Sequence, residues 1–200
     1  VEALLRWRGE DGELISPVDF IPLAEETGLI IPLGKYVLQQ ACFDAKSLID
    51  QGANIIVSVN ISAVQFREES FLQMVQESLQ VSGLKSCFLE LEITEGVLAK
   101  NIQRTQQLLS SLRALGVRIA LDDFGTGYSS LTYLKSFPLD VLKIDQGFVR
   151  DMLIDKSDAV IVDAIVRISQ AFELELVAEG VETESQMRYL RNQNCDQLQG

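Results

Sequence analysis

The sequence predicts an α/β fold built on parallel strands, and it favours a (β/α)8 TIM-type barrel over an open doubly wound sheet. Three observations carry that expectation. Short apolar runs alternate with longer amphipathic ones along the whole chain, as in repeated strand–helix units. The short runs are nearly continuously apolar, which suits parallel strands buried on both faces. The polar residues that close them, Asn60, Glu92, Asp122, Lys143, Glu179 and Gln199, lie 32, 30, 21, 36 and 20 residues apart. A barrel of about 250 residues averages roughly 31 residues per unit. Seven units can be traced in the 200 residues, so a complete barrel would place one more unit outside them.

The strand-like runs are residues 1–7, 54–60, 87–94, 117–122, 141–145 and 175–179, with a last one beginning near Asp196. Ser16 before Pro17 reads as a helix cap followed by the first helical residue. Residues 32–51 place Leu33, Tyr36, Val37, Ala41, Leu48 and Ile49 on one stripe and stop at Gly52. Residues 98–115 do the same with Leu98, Ile102, Leu109, Leu112 and Leu115, before Gly116. Residues 157–172 carry Val160, Ile161, Ala164, Ile165 and Ile168. Thr183 and Gln186 have the spacing of a capping box ahead of Met187 and Leu190. No linker, charge run or repeat divides the chain, so residues 1–200 read as one domain. The chain opens at Val1, without Met and inside a strand-like run, which reads as a fragment.

Composition narrows the function. Seventeen Lys and Arg against twenty-nine Asp and Glu give a net charge of −12, the wrong sign for a nucleic-acid polymer or an anionic lipid surface. There is no histidine, which removes Ser-His-Asp and Cys-His catalysis and His-ligated zinc. Cys42, Cys87 and Cys195 are scattered, with no CxxC, and read as buried, reduced thiols of a cytosolic protein. No apolar run has the length of a membrane span. Anchoring through segments beyond these residues stays open.

The closing residues carry the chemistry. They stand in SVNIS at Asn60, LELEITE at Glu92, IALDDFG at Asp122 and Asp123, LKID at Lys143 and Asp145, VAEG at Glu179, and LQG at Gln199. In a TIM-type barrel the C-terminal strand ends share one face, where active sites form. Carboxylates crowded there repel one another and need protons or a cation. An all-oxygen set without His or Cys suits Mg²⁺ or Mn²⁺, and adjacent Asp122 and Asp123 allow two ions with a bridging carboxylate. Solvent contact alone explains any one polar strand end; six in succession are harder to attribute to it. Lys143 has three readings: neutralising the acids, orienting a water, or forming a Schiff base. Carboxylate neighbours favour the charged amine and so the first two. In DDFGTGYSSL, Gly125 and Gly127 let a loop fold tightly, but the dinucleotide fingerprint lacks its third Gly or Ala, Ser130 standing there, and the DFG has no HRD, VAIK or complete glycine loop with it. In EALLRW, alternation puts Glu2, Leu4 and Arg6 on one face, where Glu2 can bind a metal and Arg6 a phosphate, or the two form a surface ion pair.

Taken together, EALLRW (2–7), SPVDFIPLAEETGLI (16–30), VNISAVQF (59–66), LELEITE (89–95), IALDDFGTGYSSL (119–131), LKID (142–145) and VAEGVET (177–183) resemble an EAL domain, in order and along the whole chain. The resemblance implies a (β/α)8-type barrel with one antiparallel strand, its first strand and C-terminal tail lying outside this sequence. It implies hydrolysis of cyclic di-GMP to linear pGpG with Mg²⁺ or Mn²⁺ in a two-metal site. Glu2, Asn60, Glu92 and Asp122 match metal ligands, and Asp123 and Glu179 match second-metal positions. Lys143 and Glu179 match residues at the attacking water, with Gln199 close to it. Glu95 matches the glutamate that steadies the DDFGTGYSS loop. Arg6, with Leu4, matches the substrate contact, and Asp145 lies near the site. Val64 and Gln146–Gly147 depart from the family pattern, and neither is a ligand. The resemblance further implies a homodimer through the loop and helix after Asp123, residues 131–137, and an upstream GGDEF or sensor domain. Two rivals remain: a catalytically silent EAL domain acting as a cyclic di-GMP receptor or interaction module, and a barrel enzyme using Lys143 as a Schiff base.

Overall fold

The computed structural model describes residues 1–98, 101–126 and 131–200, apart from the side chains of 131–133. The chain divides into two compact units, Val1–Glu92 with Ser111–Arg118, and Ile93–Ser110 with Ile119–Gly200.

The first unit opens with β1 (Glu2–Ala3), then β2 (Trp7–Arg8) and β3 (Leu14–Ile15). The last two form an antiparallel ribbon that pairs Trp7 with Ile15. Its turn needs Gly12, at φ 85°. The apolar run 1–7 is therefore not one strand. Its first residues pair with a neighbour, and the rest turns away so that Trp7 packs edge-on against Phe20, ring centres 5.4 Å apart. Helix α1 (Pro17–Thr27) starts with Pro17 behind Ser16, as expected, and ends at left-handed Gly28.

Helix α2 (Ile30–Asp50) buries Leu38, Ala41, Cys42 and Ala45 along one line. Of the stripe read from the sequence, only Ala41 belongs to it, and Tyr36 and Leu48 are 60% and 46% exposed. Beyond Ile30 and Leu38 the buried line is made of small residues, Gly34, Ala41, Cys42 and Ala45, which allow the helix to approach its neighbours closely; a search for large apolar residues passes over most of it. After β4 (Val57–Asn60), α3 (Ala63–Phe66) carries a complete capping box between Ser62 and Gln65. Helix α4 (Phe71–Ser82) packs on α2. Next comes β5 (Leu89–Thr94). Strands β1, β4 and β5 are parallel, with Glu2 opposite Ser58 and Asn60 opposite Glu92.

Short α5 (Glu95–Leu98) precedes α6 (Ile102–Ala114). Here the expected stripe holds: Leu109 and Leu112 are fully buried. In the second unit, β6 (Arg118–Phe124), α7 (Leu131–Ser136), β7 (Val141–Ile144), α8 (Gln146–Asp151), α9 (Lys156–Ala171), β8 (Glu175–Ala178), α10 (Glu184–Asn192) and β9 (Gln197–Leu198) follow. Strands β6 to β9 are all parallel, and Ala120, Val141 and Val177 form a buried cluster on them. The continuous apolar runs did mark parallel strands. Helix α9 buries Val162, Ile165, Val166 and Ser169, a face shifted from the expected one, while Val160 is 66% exposed. The Thr183–Gln186 capping box is present, and Gln186 also donates to the Val149 carbonyl at 3.1 Å. Among the described residues, no helix is long and apolar enough to cross a membrane.

A glycine in α2 protects the α3 cap. A Cβ on Gly34 would fall 1.7 Å from the side-chain amide of Gln65, which is only 3% exposed. Gly34→Ala should therefore destabilise the chain by about 1–3 kcal/mol, the usual cost of overpacking, read as a lower thermal midpoint. In a Gln65→Ala background the same change should cost clearly less. An equal cost in both would show that the amide does not occupy that space.

Candidate active site

In the first unit, the parallel ladder pairs Asn60 with Glu92, while Glu2 pairs with Ser58 two residues lower and reaches Asn60 through its side chain. Asn60 ends β4, and its Nδ2 donates to Glu2 Oε1 at 2.6 Å. Glu92, the pairing partner of Asn60 on β5, is 2% exposed. Leu4 and Arg6 do not continue this face, contrary to the alternation read from the sequence. The strand ends at Ala3, and the chain turns into the ribbon. Leu4 is half exposed, and Arg6 donates to the Leu5 carbonyl at 3.0 Å. Arg6 instead lines an apolar cavity of about 660 Å³ with Leu5, Trp7, Phe20, Ala24 and Leu33.

In the second unit, β6 presents two neighbouring carboxylates. Adjacent strand residues normally point to opposite faces. Here the pairing of β6 with β7 shifts register between Leu121 and Phe124, and Asp123 is left-handed at φ 55°. Such an irregularity re-aims side chains, and carboxylate oxygens of Asp122, Asp123 and Glu179 lie within 4.8 Å of one another. An all-oxygen group at that spacing fits a hard divalent cation.

Lys143, on β7, is 2% exposed, with Nζ 2.5 Å from Glu179 Oε1 and 3.7 Å from Asp122 Oδ1. This ion pairing favours a charged lysine over a Schiff-base amine. Asp145 caps α8 by accepting from the Gly147 amide at 2.9 Å, and it also hydrogen-bonds to Asp123. Burial, then the charges of Asp122 and Asp145 and that hydrogen bond, push the Asp123 carboxyl up to about 6, although Lys143 pulls it down. The lysine alone does not neutralise the cluster.

The loop after Asp123 is tied from below. Glu95 Oε1 accepts from the Gly125 amide at 2.9 Å, so the expected role of Glu95 has a contact. Gly125 sits at φ 100°, and a Cβ there would meet the Phe148 ring at 2.9 Å. Gly127 and residues 128–130 lie outside the described residues. Gln199 is exposed. Its amide donates to the Ala178 carbonyl at 2.8 Å, and its carbonyl accepts from Val181 at 3.0 Å, which fixes the turn after β8.

The sequence picks Glu92 on β5 and passes over Glu90, which accepts from Ser58 and pairs with Arg118. The LELE alternation was a visible signal, since it puts both glutamates on one face. The partners were not visible.

A model of the EAL domain matches residues 1–200. The chain belongs to the EAL domain family. It is 45% identical over 201 residues to the bifunctional diguanylate cyclase/cyclic di-GMP phosphodiesterase MucR of Pseudomonas aeruginosa, covering all of this chain and 29% of that protein. It is 39% identical over 200 residues to the cyclic di-GMP phosphodiesterase PdeR of Escherichia coli, covering all of this chain and 30% of that protein. The chain thus spans under a third of the length of these curated relatives. A solved structure of the PaMucR phosphodiesterase in complex with c-di-GMP aligns at a TM-score of 0.96 and 44% identity, covering all of this chain and 81% of that one. The expected fold class stands: this EAL domain is an α/β chain of TIM-like type with parallel strands. The small antiparallel ribbon at Trp7–Arg8 and Leu14–Ile15 stands beside them.

Asp123 makes metal-free stability depend on pH. Its carboxyl titrates at about 6 when folded and about 3.9 when unfolded. Between these values the folded chain holds more protons, so this contribution is full below pH about 4 and is lost as pH rises through about 6. Asp123→Asn keeps a residue that tolerates left-handed backbone and should flatten that part of the profile, measured as melting midpoints in chelator from pH 4 to 7. An unchanged slope would assign the titration elsewhere.

Proposed function

We propose that this EAL domain hydrolyses cyclic di-GMP to linear pGpG with the help of divalent cations. The observation that carries the reading is the Asp122–Asp123–Glu179 carboxylate group beside buried Lys143, in a chain 45% identical to MucR. The proposed ligands are Glu2, Asn60 and Glu92 in the first unit and Asp122, Asp123 and Glu179 in the second. Mg²⁺ or Mn²⁺ suits these oxygen donors. When bound, such ions supply acidified water and neutralise phosphate charge.

The chain's own residues do the positioning. Glu179 and Lys143 orient the attacking water, and Gln199 stands near it. That water adds to phosphorus as the bridging P–O bond breaks, and the departing ribose oxygen takes a proton. Glu95 holds the loop through Gly125, and Asp145 steadies Asp123. Arg6, with Leu4 beside it, receives a substrate phosphate; the apolar cavity next to Arg6 offers a surface on which a flat base can lie. The substrate is a small dianion, which an acidic domain binds through cations it has collected. We assign the domain to the cytoplasm, with an upstream GGDEF or sensor domain supplying regulation. The homodimer contact falls to the loop and helix after Asp123, much of which lies outside the described residues.

Glu2→Ala and Asp122→Asn should each lower hydrolysis by at least about 10²-fold, the scale of losing a positioned water, with far-UV circular dichroism unchanged. Chromatography for pGpG, with Mn²⁺ or Mg²⁺ present, checks it. Wild-type turnover in either variant would overturn the ligand assignment. Binding of cyclic di-GMP without turnover by the unaltered chain would leave the receptor reading standing.

Lys143→Ala should reduce kcat by a larger factor than it raises KM. Steady-state kinetics separate the two: a rise in KM alone would move Lys143 from the water to the phosphate.

A further inference from the structure

Strand β5 carries two glutamates on one face, Glu90 and Glu92. Beside them β4 carries Ser58 and Asn60, and the ladder pairs Ser58 with Glu90 and Asn60 with Glu92. The upper pair holds proposed metal ligands. The lower pair is joined directly: Ser58 Oγ donates to Glu90 Oε1 at 2.8 Å. The other Glu90 oxygen takes Arg118 Nε at 3.0 Å. Ser58 and Glu90 are each 8% exposed. On the opposite edge of β4, Glu2 of β1 pairs with the same Ser58.

The sequence of β5 makes this contact necessary. Leu89 to Glu92 repeats every two residues, so sliding β5 by two along β4 would keep leucines and glutamates on their own faces. Apolar burial distinguishes those registers weakly. The slide would put Glu90 opposite Asn60 and carry Glu92 past it. Only the native register brings Glu90 between Ser58 and Arg118. Buried polar pairs fix register in this way in other folds.

We infer that Glu90, held by Ser58 and Arg118, is a positioning residue that sets the height of Glu92 against Asn60 and Glu2, and so the geometry of that ligand group. The inference rests on the metal-dependent reading above. Loss of a residue that orients ligands typically costs about 10–100-fold in metal affinity.

The test is Mn²⁺ affinity of the full chain, read from the electron paramagnetic resonance signal of free Mn²⁺, beside metal-free melting. Glu90→Leu with Arg118→Met replaces the ion pair by apolar groups of similar length, which folds generally tolerate. It should melt near wild type yet bind Mn²⁺ about 10–100-fold more weakly. Ser58→Ala should weaken binding in the same direction, and Ser58→Thr, which keeps the hydroxyl, should retain it. Mn²⁺ affinity within twofold of wild type in the double variant overturns the inference; if that variant does not fold, unchanged affinity in Ser58→Ala does so. A wild-type chain that binds Mn²⁺ and yields no pGpG overturns the phosphodiesterase reading and leaves this one to its variants. A wild-type chain that binds no Mn²⁺ overturns both.

Discussion

A buried ammonium among carboxylates is the constraint from which the second unit follows. Lys143 is 2% exposed, and withdrawing its charge from water costs several kcal/mol. Glu179 at 2.5 Å and Asp122 at 3.7 Å offset that cost. The dependence runs both ways. Without a cation, Asp122, Asp123 and Glu179 could not stay within 4.8 Å of one another as anions. The parallel register of β6, β7 and β8 exists at the price of one buried lysine. Asp123 still titrates at about 6, so negative charge remains in excess. That excess is what a divalent cation would relieve.

Keeping two adjacent aspartates on one side of a strand requires departures from regular structure, and each has a support. The register shift in β6 turns the chain, and left-handed Asp123 turns it further. Asp123 accepts from Thr126 through its carbonyl, with the hydroxyl at 2.9 Å. Glu95 takes the Gly125 amide, and Phe148 fills the space where a side chain on Gly125 would go. Asp145 both caps α8 and meets Asp123. Helix α8, which carries Phe148, is thus anchored at its start to the same carboxylate group that its ring supports from the loop side. A strained backbone persists only where its surroundings over-determine it.

Much of this was legible in the sequence because each strand end carries its own signal. Asn60, Glu92, Asp122, Lys143 and Glu179 close apolar runs, and those runs are parallel strands. The Thr183–Gln186 box and the Leu109–Leu112 stripe were also legible, since spacing within one turn decides them. The buried faces of α2 and α9 were not. Both helices have apolar residues on more than one side; in α2 small residues such as Ala41 and Ala45 mark the packed face, and in α9 it is Val162, Ile165 and Val166. The run at residues 1–7 looked continuous because nothing local forbids a strand there; Phe20, far along the chain, draws Trp7 away. Glu90 and Arg118 are 28 residues apart, and only the folded ladder joins them.

The same physical solution recurs in the first unit. Glu90 sits beneath Glu92 as a second buried carboxylate, and Arg118 accompanies it as Lys143 accompanies Glu179. The two cations differ in kind. Arg118 offers a planar fork, its side chain still 28% exposed, and it meets a carboxylate two residues before Glu92. Lys143 is a compact point charge one residue before the end of β7, within reach of both Asp122 and Glu179. A rigid guanidinium suits a fixed contact, and a rotatable ammonium suits one shared among several oxygens. The acidic balance of −12 is then no obstacle to the anionic substrate proposed above. The carboxylates that give the site its charge are those whose mutual repulsion creates its demand for cations.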